Sequence, residues 1–236
     1  MSVPGKKVAV ITGASQGIGA ALVVAYGKLG YAVVATSRSI APVPDPDVLA
    51  VRGDIADPST AERVAAAAVE RFGRIDTLVN NAGIFIAKPF TEYTRDDYEA
   101  ATGVNLAGFF RITQLAVEQM LRQGSGHLVQ ISTSLADHAD ASVNSVLASL
   151  TKGGLQSATR ALAIEYAARG IRSNAVALGV IKTRNSDAYG DSLARLHPLG
   201  RLGEVGDVVD AIVYLENAPF VTGEILHVDG GQSAGH

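Results

Sequence analysis

The chain has no cysteine, no tryptophan and only two methionines among its 236 residues. Without thiols it can form neither disulfide bonds nor sites that depend on a thiolate. Charged residues make up 18% of the chain and the formal net charge is -3, so basic residues are not in excess. We therefore expect neither nucleic acid nor an anionic membrane as a partner.

Long apolar segments are also lacking. The apolar run after Lys6 and Lys7 stops at Thr12 and Gly13, which is too short for the core of a signal peptide, and no later run is long enough to span a bilayer. We therefore expect a cytoplasmic protein. The histidines lack the spacing of paired metal ligands, so we expect no metal site.

Short apolar runs rich in β-branched residues predict seven strands. They lie at residues 8–11, 32–36, 49–52, 77–80, 127–132, 173–177 and 224–228. Helical patterns separate most of them, and this alternation indicates a parallel, doubly wound sheet of the Rossmann type. With 47% hydrophobic residues, the chain is long enough for one large core, so we expect a single α/β domain over residues 1–236.

Local residue patterns predict where two helices begin and that one connection between strands contains no helix. Asp57 and Pro58 have the residue types of an N-cap and a first helical position, and Thr94 with Asp97 opens the next helix. Residues 39–47 contain three prolines, which exclude a helix where a doubly wound fold usually has one. We expect that edge of the sheet to be thinly covered.

The first predicted strand leads into Thr-Gly-Ala-Ser-Gln-Gly-Ile-Gly at residues 12–19, and a helical pattern follows from residue 20. Gly13 allows a tight turn, Gly17 removes a side chain where a pyrophosphate must approach the backbone, and Gly19 allows the helix to pack closely on the strand. The free N–H groups of the first helical turn then face an anion. The segment predicts a phosphate site with Ser15 as a further ligand.

Two other interpretations of this segment stay open. Glycine also marks ordinary turns, and the spacing G-x-x-x-G-x-G does not match the dinucleotide pattern G-x-G-x-x-G. Gly13, Ser15 and Gly17 also spell G-x-S-x-G, the nucleophile elbow of serine hydrolases. An elbow needs earlier strands and an oxyanion segment upstream, whereas Ser15 follows the first strand. We therefore favour a phosphate site over a serine hydrolase.

Small polar groups follow several later strands, at the edge where open α/β sheets bind ligands. They include Asn-Asn-Ala-Gly at residues 80–83 and Ile-Ser-Thr-Ser at residues 131–134. Asn105 lies inside a predicted helix, where asparagine is mildly unfavourable. Lys152 enters another helix, and Leu-Gly-Val-Ile-Lys-Thr at residues 178–183 and Val-Asp-Gly-Gly at residues 228–231 complete the set.

Taken together, these motifs make the chain resemble the short-chain dehydrogenase/reductase family over nearly its whole length. The resemblance implies oxidoreductase activity on a small or medium carbonyl/alcohol pair. It also implies a homotetramer that uses the helices at residues 95–122 and 152–168 and the C-terminal strand region. The segment at about residues 183–200 would close over the substrate.

The resemblance also implies a set of contacts to a nicotinamide dinucleotide. Asp54 and Ile55 would adjoin the adenine, Ile181 and Thr183 would meet the nicotinamide carboxamide, and Lys152 would bind the ribose. The remaining expected contacts are Gly13, Ser15, Gln16, Gly17, Ile18, Gly19, Ser37, Arg38, Asn81, Ala82, Gly83 and Gly179.

The choice between the two dinucleotides depends on the end of the second strand. An acidic residue there would accept hydrogen bonds from a ribose 2'-hydroxyl, whereas arginine would pair with a 2'-phosphate. Ser37 has the position of the acid and Arg38 follows it. We therefore predict NADP(H) over NAD(H).

The family pattern breaks at the proton-transferring residue. In the family this is a tyrosine four residues before the lysine, whereas this chain has Ala148 there and no tyrosine between Tyr98 and Tyr166. Of the remaining expected catalytic groups, Asn105 would hold a water relay. Thr133 or Ser134 would polarise the substrate oxygen. Leu178 also replaces the family's proline before Gly179, which would loosen that loop.

Three routes remain open without the tyrosine. Another group could supply the proton, and the candidates are His138, Tyr189, His197 and Lys152 acting through water. The protein could instead bind NADP(H) without turnover, as a sensor or as a silent subunit. The substrate could also need little acid assistance, as an activated carbonyl or a protonated imine does. Positioned proton transfer contributes about 10²- to 10⁴-fold in rate, so its loss would slow the reaction without abolishing it.

Overall fold

The computed structural model describes residues 5–183 and 193–235. Seven strands lie at β1 (Val8–Thr12), β2 (Ala32–Ser37), β3 (Val48–Arg52), β4 (Thr77–Asn80), β5 (Gly126–Thr133), β6 (Ile171–Leu178) and β7 (Ile225–Val228). Six α-helices lie at α1 (Gly17–Lys28), α2 (Pro58–Phe72), α3 (Arg95–Thr102), α4 (Phe109–Gln123), α5 (Val146–Tyr166) and α6 (Val205–Asn217). None of the helices in these ranges is both long and apolar enough to cross a membrane.

All seven strands form one parallel sheet in the order β3-β2-β1-β4-β5-β6-β7. The predicted doubly wound fold is therefore confirmed. The strand order reverses between β1 and β4, which places a crevice at the carboxyl ends of these two strands.

Side chains on β1 alternate between two cores. Val8 and Val10 pack in the core beneath α2 and α4, whereas Ala9 and Ile11 pack in the core beneath α1 and α6. All five β1 residues are buried, as expected for a central strand that is covered on both faces. Each fully buried large aliphatic side chain contributes about 1.5–3 kcal/mol, so these two layers hold the crevice in a fixed position.

The predicted local signals are confirmed where α2 and α3 begin. The Asp57 side chain accepts the Ser59 N–H at 2.9 Å, and Pro58 is the first helical residue. Thr94 and Asp97 form a reciprocal capping box. Between β2 and β3, the described residues contain no helix, and every residue of β3 is at least partly exposed.

A π-helical segment at residues 103–108 joins α3 to α4. The sequence predicts one continuous helix here, and the observed path is a helix with one widened turn. Gly108 approaches Ile55 so closely that a Cβ would lie 2.8 Å from the Ile55 carbonyl oxygen. Widened turns of this kind often mark functional positions, and this one contains Asn105.

A buried carboxylate joins α6, α1 and the strands at the amino-terminal end of the sheet, opposite the crevice. Glu216 on α6 accepts hydrogen bonds from the hydroxyls of Tyr26 at 3.0 Å and Tyr31 at 2.8 Å. His127 Nδ1 lies 2.9 Å from the same carboxylate, and His127 Nε2 faces the Asn174 amide at 3.1 Å. The network therefore indicates a neutral His127 with its proton on Nδ1. Burial raises the pKa of Glu216, but the hydrogen bonds outweigh it and lower the pKa to about 2.

Glu216→Gln should lower the free energy of unfolding at neutral pH by about 1–3 kcal/mol, because an amide cannot replace a carboxylate that accepts several hydrogen bonds. The stabilisation is fully present above the ordinary pKa of 4.5 and is lost as the pH falls towards the folded-state pKa of about 2. Urea unfolding should therefore show that the difference in free energy of unfolding between the two proteins becomes smaller as the pH falls. A difference that does not change with pH would contradict this account.

Candidate active site

The turn after β1 forms the floor of the crevice. Gly13 and Gly17 adopt positive φ angles of 66° and 54°, which favour glycine. The helix α1 begins at Gly17 rather than at residue 20 as predicted, because this turn already belongs to it. Its N-cap residue, Gln16, makes no side-chain cap hydrogen bond, so the N–H groups of the first turn stay available to an anion.

Asn81 locks this turn to the end of β4. Its side-chain Nδ2 donates to the carbonyl oxygens of Thr12 at 2.9 Å and Gly13 at 3.1 Å. Thr12 Oγ1 in turn accepts the N–H groups of Asn81 at 3.0 Å and Ala82 at 2.9 Å. A Cβ on Gly19 would collide with the Gly13 carbonyl oxygen. The sequence predicts Asn81 as a cofactor contact, and the structure adds that its amide holds the phosphate turn in shape.

A cavity of about 410 Å³ lies above this turn and brings most of the predicted cofactor residues together. The predicted residues that line it are Gly13, Ser15, Gln16, Gly17, Ile18, Gly19, Ser37, Arg38, Asp54, Ile55, Asn81, Ala82, Gly83 and Thr183. Lys152, Gly179 and Ile181 lie outside this lining. Thr36, Ser39, Gly53, Ile84 and Val104 also line it and were not predicted.

The cavity wall contains a polar atom without a partner among the described residues. Thr36 is 1% exposed, and its Oγ1 makes no hydrogen bond there. An unpaired buried hydroxyl costs about 1–3 kcal/mol, so a partner in the cavity would be favourable. This hydroxyl, the uncapped helix start and the glycines that admit a close backbone approach all fit a dinucleotide. The sequence did not indicate Thr36, because a buried strand threonine has no distinguishing signal.

Arginine and serine residues surround the far end of the cavity. Ser37 Oγ accepts the Ser39 N–H at 3.3 Å, and Ser39 Oγ donates to Ser15 Oγ at 3.3 Å. Arg52 Nε donates to the Arg38 carbonyl oxygen at 2.7 Å, which fixes the backbone that carries the Arg38 guanidinium. The nearby Asp54 caps its own turn, with Oδ1 accepting the Ala56 N–H at 3.0 Å. The described residues at this end therefore present a cationic surface suited to a phosphate.

The side chain of Asn105 is fully engaged with protein groups. Its Oδ1 accepts the Ile84 N–H at 2.9 Å, and its Nδ2 donates to the Ile84 carbonyl oxygen at 3.0 Å and to Thr151 Oγ1 at 3.1 Å. These bonds tie the widened turn between α3 and α4 to the segment after β4 and to α5. The amide therefore has little capacity left for the water relay that the resemblance implies.

Lys152 lies in the second turn of α5, not at the helix entrance where the sequence places it. Its Nζ would be 3.6 Å from a Cβ at Gly83, so it reaches the loop that lines the cavity. Burial lowers the pKa of Lys152 to about 8. Ala148, one turn earlier on α5, is 2% exposed and offers no hydroxyl.

The two candidate hydroxyls at the end of β5 are buried and bonded to the same carbonyl. Thr133 Oγ1 donates to the Leu178 oxygen at 3.4 Å, and Ser134 Oγ donates to it at 3.1 Å. Ser134 Oγ also lies 3.2 Å from Gln232 Oε1. Thr133 Oγ1 additionally accepts the Leu135 N–H at 3.3 Å. The geometry leaves the choice between the two hydroxyls open.

The loop after β6 returns to the phosphate turn. A Cβ on Gly17 would lie 3.5 Å from Thr183 Cγ2, so Thr183 stands over the start of α1. Ile181 is 8% exposed and pairs with Gly203 in a parallel bridge. Residues 184–192, which include Tyr189 and half of the expected substrate lid, lie outside the described residues.

The remaining proton-donor candidates and the hydrolase alternative can be placed as well. His138 is exposed, and His197 is 3% exposed with Nε2 accepting the Val180 N–H at 3.0 Å. In the described part of the chain, the Ser15 hydroxyl is bonded to Ser39 and to no histidine. A nucleophile elbow needs a histidine base within hydrogen-bond reach, so the geometry does not support a serine hydrolase.

Comparisons with known proteins show the family of the chain. The family model described as enoyl-(acyl carrier protein) reductase matches residues 13–233. The chain is 33% identical over 245 residues to the 3-oxoacyl-[acyl-carrier-protein] reductase FabG of Thermotoga maritima, covering 95% of this chain and 97% of that protein. It is 36% identical over 244 residues to the L-rhamnose 1-dehydrogenase (NAD(P)(+)) of a Sphingomonas species, covering 95% of each chain.

Solved structures give the same result. ElxO with NADP bound superposes with a TM-score of 0.90 at 30% identity, over 98% of this chain and 100% of that one. A blue fluorescent protein from a metagenomic library, in complex with NADPH, superposes with a TM-score of 0.87 at 32% identity, over 99% of this chain and 100% of that one. Since the family model, the relatives and the solved structures match the chain over nearly its full length, the chain belongs to the short-chain dehydrogenase/reductase family.

Proposed function

We propose that this protein is an NADP(H)-dependent oxidoreductase that acts on a carbonyl/alcohol pair and takes its proton from a group other than tyrosine. The observation that carries the proposal is the cavity above the phosphate turn, with Lys152 reaching its Gly83 wall. When bound, the nicotinamide would supply or accept the hydride. The chain's own residues would hold the dinucleotide, orient the substrate and move the proton.

Several observations support NADP(H). Arg38 and Ser37 line the end of the cavity, and Arg52 fixes the Arg38 backbone. No aspartate or glutamate stands at the Ser37 position, where it would repel a 2'-phosphate. Similar chains have been solved with NADP or NADPH bound.

Lys152 is the proton donor that we favour. We place Ala148 at the position of the family tyrosine, so the residue four positions before Lys152 carries no hydroxyl. A lysine with a pKa of about 8 is mostly protonated at neutral pH, yet it gives up its proton more readily than an ordinary lysine. His197 is less suitable because its Nε2 already accepts the Val180 N–H. The lysine ammonium would act on the substrate oxygen through a water molecule in the space that Ala148 leaves.

A second candidate function is NADP(H) binding without turnover. Ala148 favours it, since a buried alanine cannot transfer a proton. The bonds of Asn105 to Ile84 and Thr151 also favour it, because they give this residue a purely structural reason to be present.

We also propose a homotetramer, which the exposed apolar side chains support. Phe110 on α4 is 61% exposed, and Leu150 and Ile164 on α5 are 61% and 84% exposed. Near the C-terminal strand, Tyr214 and Phe220 are similarly exposed. Exposed apolar groups on these two helices and near the C-terminal strand fit a contact with another protein surface. By contrast, Leu155 on α5 is buried, and Leu162 on the same helix packs against the core.

Arg38→Ala should raise the Kd for NADPH by about 10- to 100-fold, because it removes a charge-assisted hydrogen bond to the 2'-phosphate. The Kd for NADH should change by less than about threefold. Calorimetry with both dinucleotides would measure this. Lys28→Ala is a control with the same change in net charge at the distant end of α1. Tighter binding of NADH than of NADPH by the unmodified protein would refute the cofactor assignment.

Ala148→Tyr should raise the rate of carbonyl reduction at least tenfold, because positioned proton transfer contributes about 10²- to 10⁴-fold. The Kd for NADPH should stay nearly unchanged. A screen of ketones and aldehydes that follows NADPH oxidation would measure the gain, and Lys152→Ala should be inactive. In the unmodified protein, which lacks the tyrosine, kcat for carbonyl reduction should fall as the pH rises through about 8, because Lys152 loses its proton there.

The screen also separates the two functions. NADPH binding with no reduction of any carbonyl, even by Ala148→Tyr, would favour the binding protein over the enzyme. Activity that rises through pH 8 would exclude Lys152 as the donor while leaving the enzyme assignment in place.

Ile164→Asp should reduce the molar mass in solution, because a carboxylate buried in an apolar interface is unpaired and costly. Multi-angle light scattering at micromolar concentration would measure the change. Val24→Asp is the matched control, since Val24 is 57% exposed but lies on α1, outside the proposed interface. A monomeric unmodified protein would refute the tetramer.

A further inference from the structure

We propose that His197 is a positioning residue, which holds the loop after β6 against the cofactor cavity through a side-chain hydrogen bond to Val180. The effect of His197 on NADPH binding rests on the proposed function. Its effect on the loop can be measured without any cofactor. The proposal goes beyond proton donation, for which His197 is poorly placed.

The protonation state of His197 follows from its hydrogen bond. The Val180 N–H donates to Nε2 at 3.0 Å, so Nε2 must carry a lone pair and the proton of a neutral ring must lie on Nδ1. His197 is only 3% exposed, and its Nδ1 has no hydrogen-bond partner among the described residues. The ring therefore acts on this loop as an acceptor.

Three other hydrogen bonds of the loop join backbone to backbone. Gly179 N–H donates to the Val228 oxygen at 3.1 Å, and Lys182 N–H donates to the Gly203 oxygen at 2.7 Å. The Val180 oxygen accepts the Gly203 N–H at 3.0 Å. These bonds tie the loop to β7 and to Gly203, and His197 adds a side-chain acceptor for the Val180 N–H.

Two glycines make room for the imidazole ring. A Cβ on Gly179 would lie 2.6 Å from His197 Nε2, and a Cβ on Gly230 would lie 3.0 Å from the His197 Cβ. The segment that carries the histidine is anchored to the same turn, since Leu199 N–H donates to the Gly230 oxygen at 3.1 Å. The ring is thus held between the loop after β6 and the turn after β7.

This arrangement bears on the cofactor cavity through Thr183. Three residues beyond Val180, Thr183 lines the cavity and stands over Gly17 at the phosphate turn. Leu178 precedes the loop where a proline would have fixed the backbone, so the loop needs its restraint from elsewhere. The His197 ring, which accepts the Val180 N–H, supplies that restraint.

The groups around His197 set the pH range over which its Nε2 can accept the Val180 hydrogen bond. Burial lowers the pKa of His197, and Arg201 in its own segment also lowers it. The nearby backbone of Ala194 and Leu193 and the Asp229 carboxylate on the turn after β7 raise it. Arg201 is itself paired with Asp207 of α6 at 2.7 Å. The net effect is a pKa below the usual value of 6.5, so the ring is neutral at physiological pH. In acid the protonated Nε2 would face the Val180 N–H as a second donor, and the hydrogen bond would be lost.

The test compares His197→Leu, which fills the space without an acceptor, with His197→Gln, which can restore one. Leu199→Ala is the matched control, since Leu199 is 70% exposed on the same segment. In the protein without cofactor, amide hydrogen exchange at Val180 should speed up at least tenfold in the Leu variant and recover in part in the Gln variant. The Kd for NADPH should rise about 5- to 50-fold in the Leu variant, as the loss of about 1–2 kcal/mol implies.

A pH series adds a readout that a merely structural residue would not give. Protection of Val180 in the unmodified protein should fall in acid as His197 gains its proton, and the Gln variant should not show this fall. A protection factor at Val180 that is the same in the Leu variant and does not change with pH would overturn the proposal. If NADPH fails to bind the unmodified protein, the proposed function fails, and the exchange experiment still decides the role of His197.

Discussion

The hydrogen bonds between Asn81 and the turn after β1 are the constraint on which the site depends. One side-chain amide and one threonine hydroxyl join the ends of β1 and β4 across the point where the strand order reverses. They fix the backbone that presents the N–H groups of α1. The cavity wall, the segment that Asn105 binds and Thr183 on the loop after β6 are all arranged about this turn. Without it, the glycines would make the segment flexible rather than suited to a phosphate.

Much of the fold could be predicted from the sequence because its signals are local. The seven strands came from apolar runs, the start of α2 from Asp57 and Pro58, and the bare edge beside β3 from the prolines of residues 39–47. The start of α1 was placed three residues late, since glycines conceal a first helical turn. The widened turn at residues 103–108 was missed because nothing in the local pattern distinguishes it from an ordinary helix.

The site was predicted in outline, and its details depend on partners that lie far apart in the sequence. Most of the predicted cofactor residues line one cavity, as the motifs indicate. The engagement of Asn105 with Ile84 and Thr151, and the unpaired hydroxyl of Thr36, could not be foreseen, because spacing along the chain carries no information about side-chain partners. Thr36 places an unpaired hydroxyl beside the cavity among the described residues. Such groups cost stability and are retained where a site needs them.

The proline-rich connection before β3 has a further consequence for the protein's behaviour in concentrated solution. An outermost strand presents unpaired backbone groups that can recruit a strand from another molecule and start aggregation. Here the segment that connects β2 to β3 contains Pro42, Pro44 and Pro46, whose nitrogens have no hydrogen to donate to a new ladder. The same residues that deprive this edge of a helix also make the adjoining chain a poor template for intermolecular pairing.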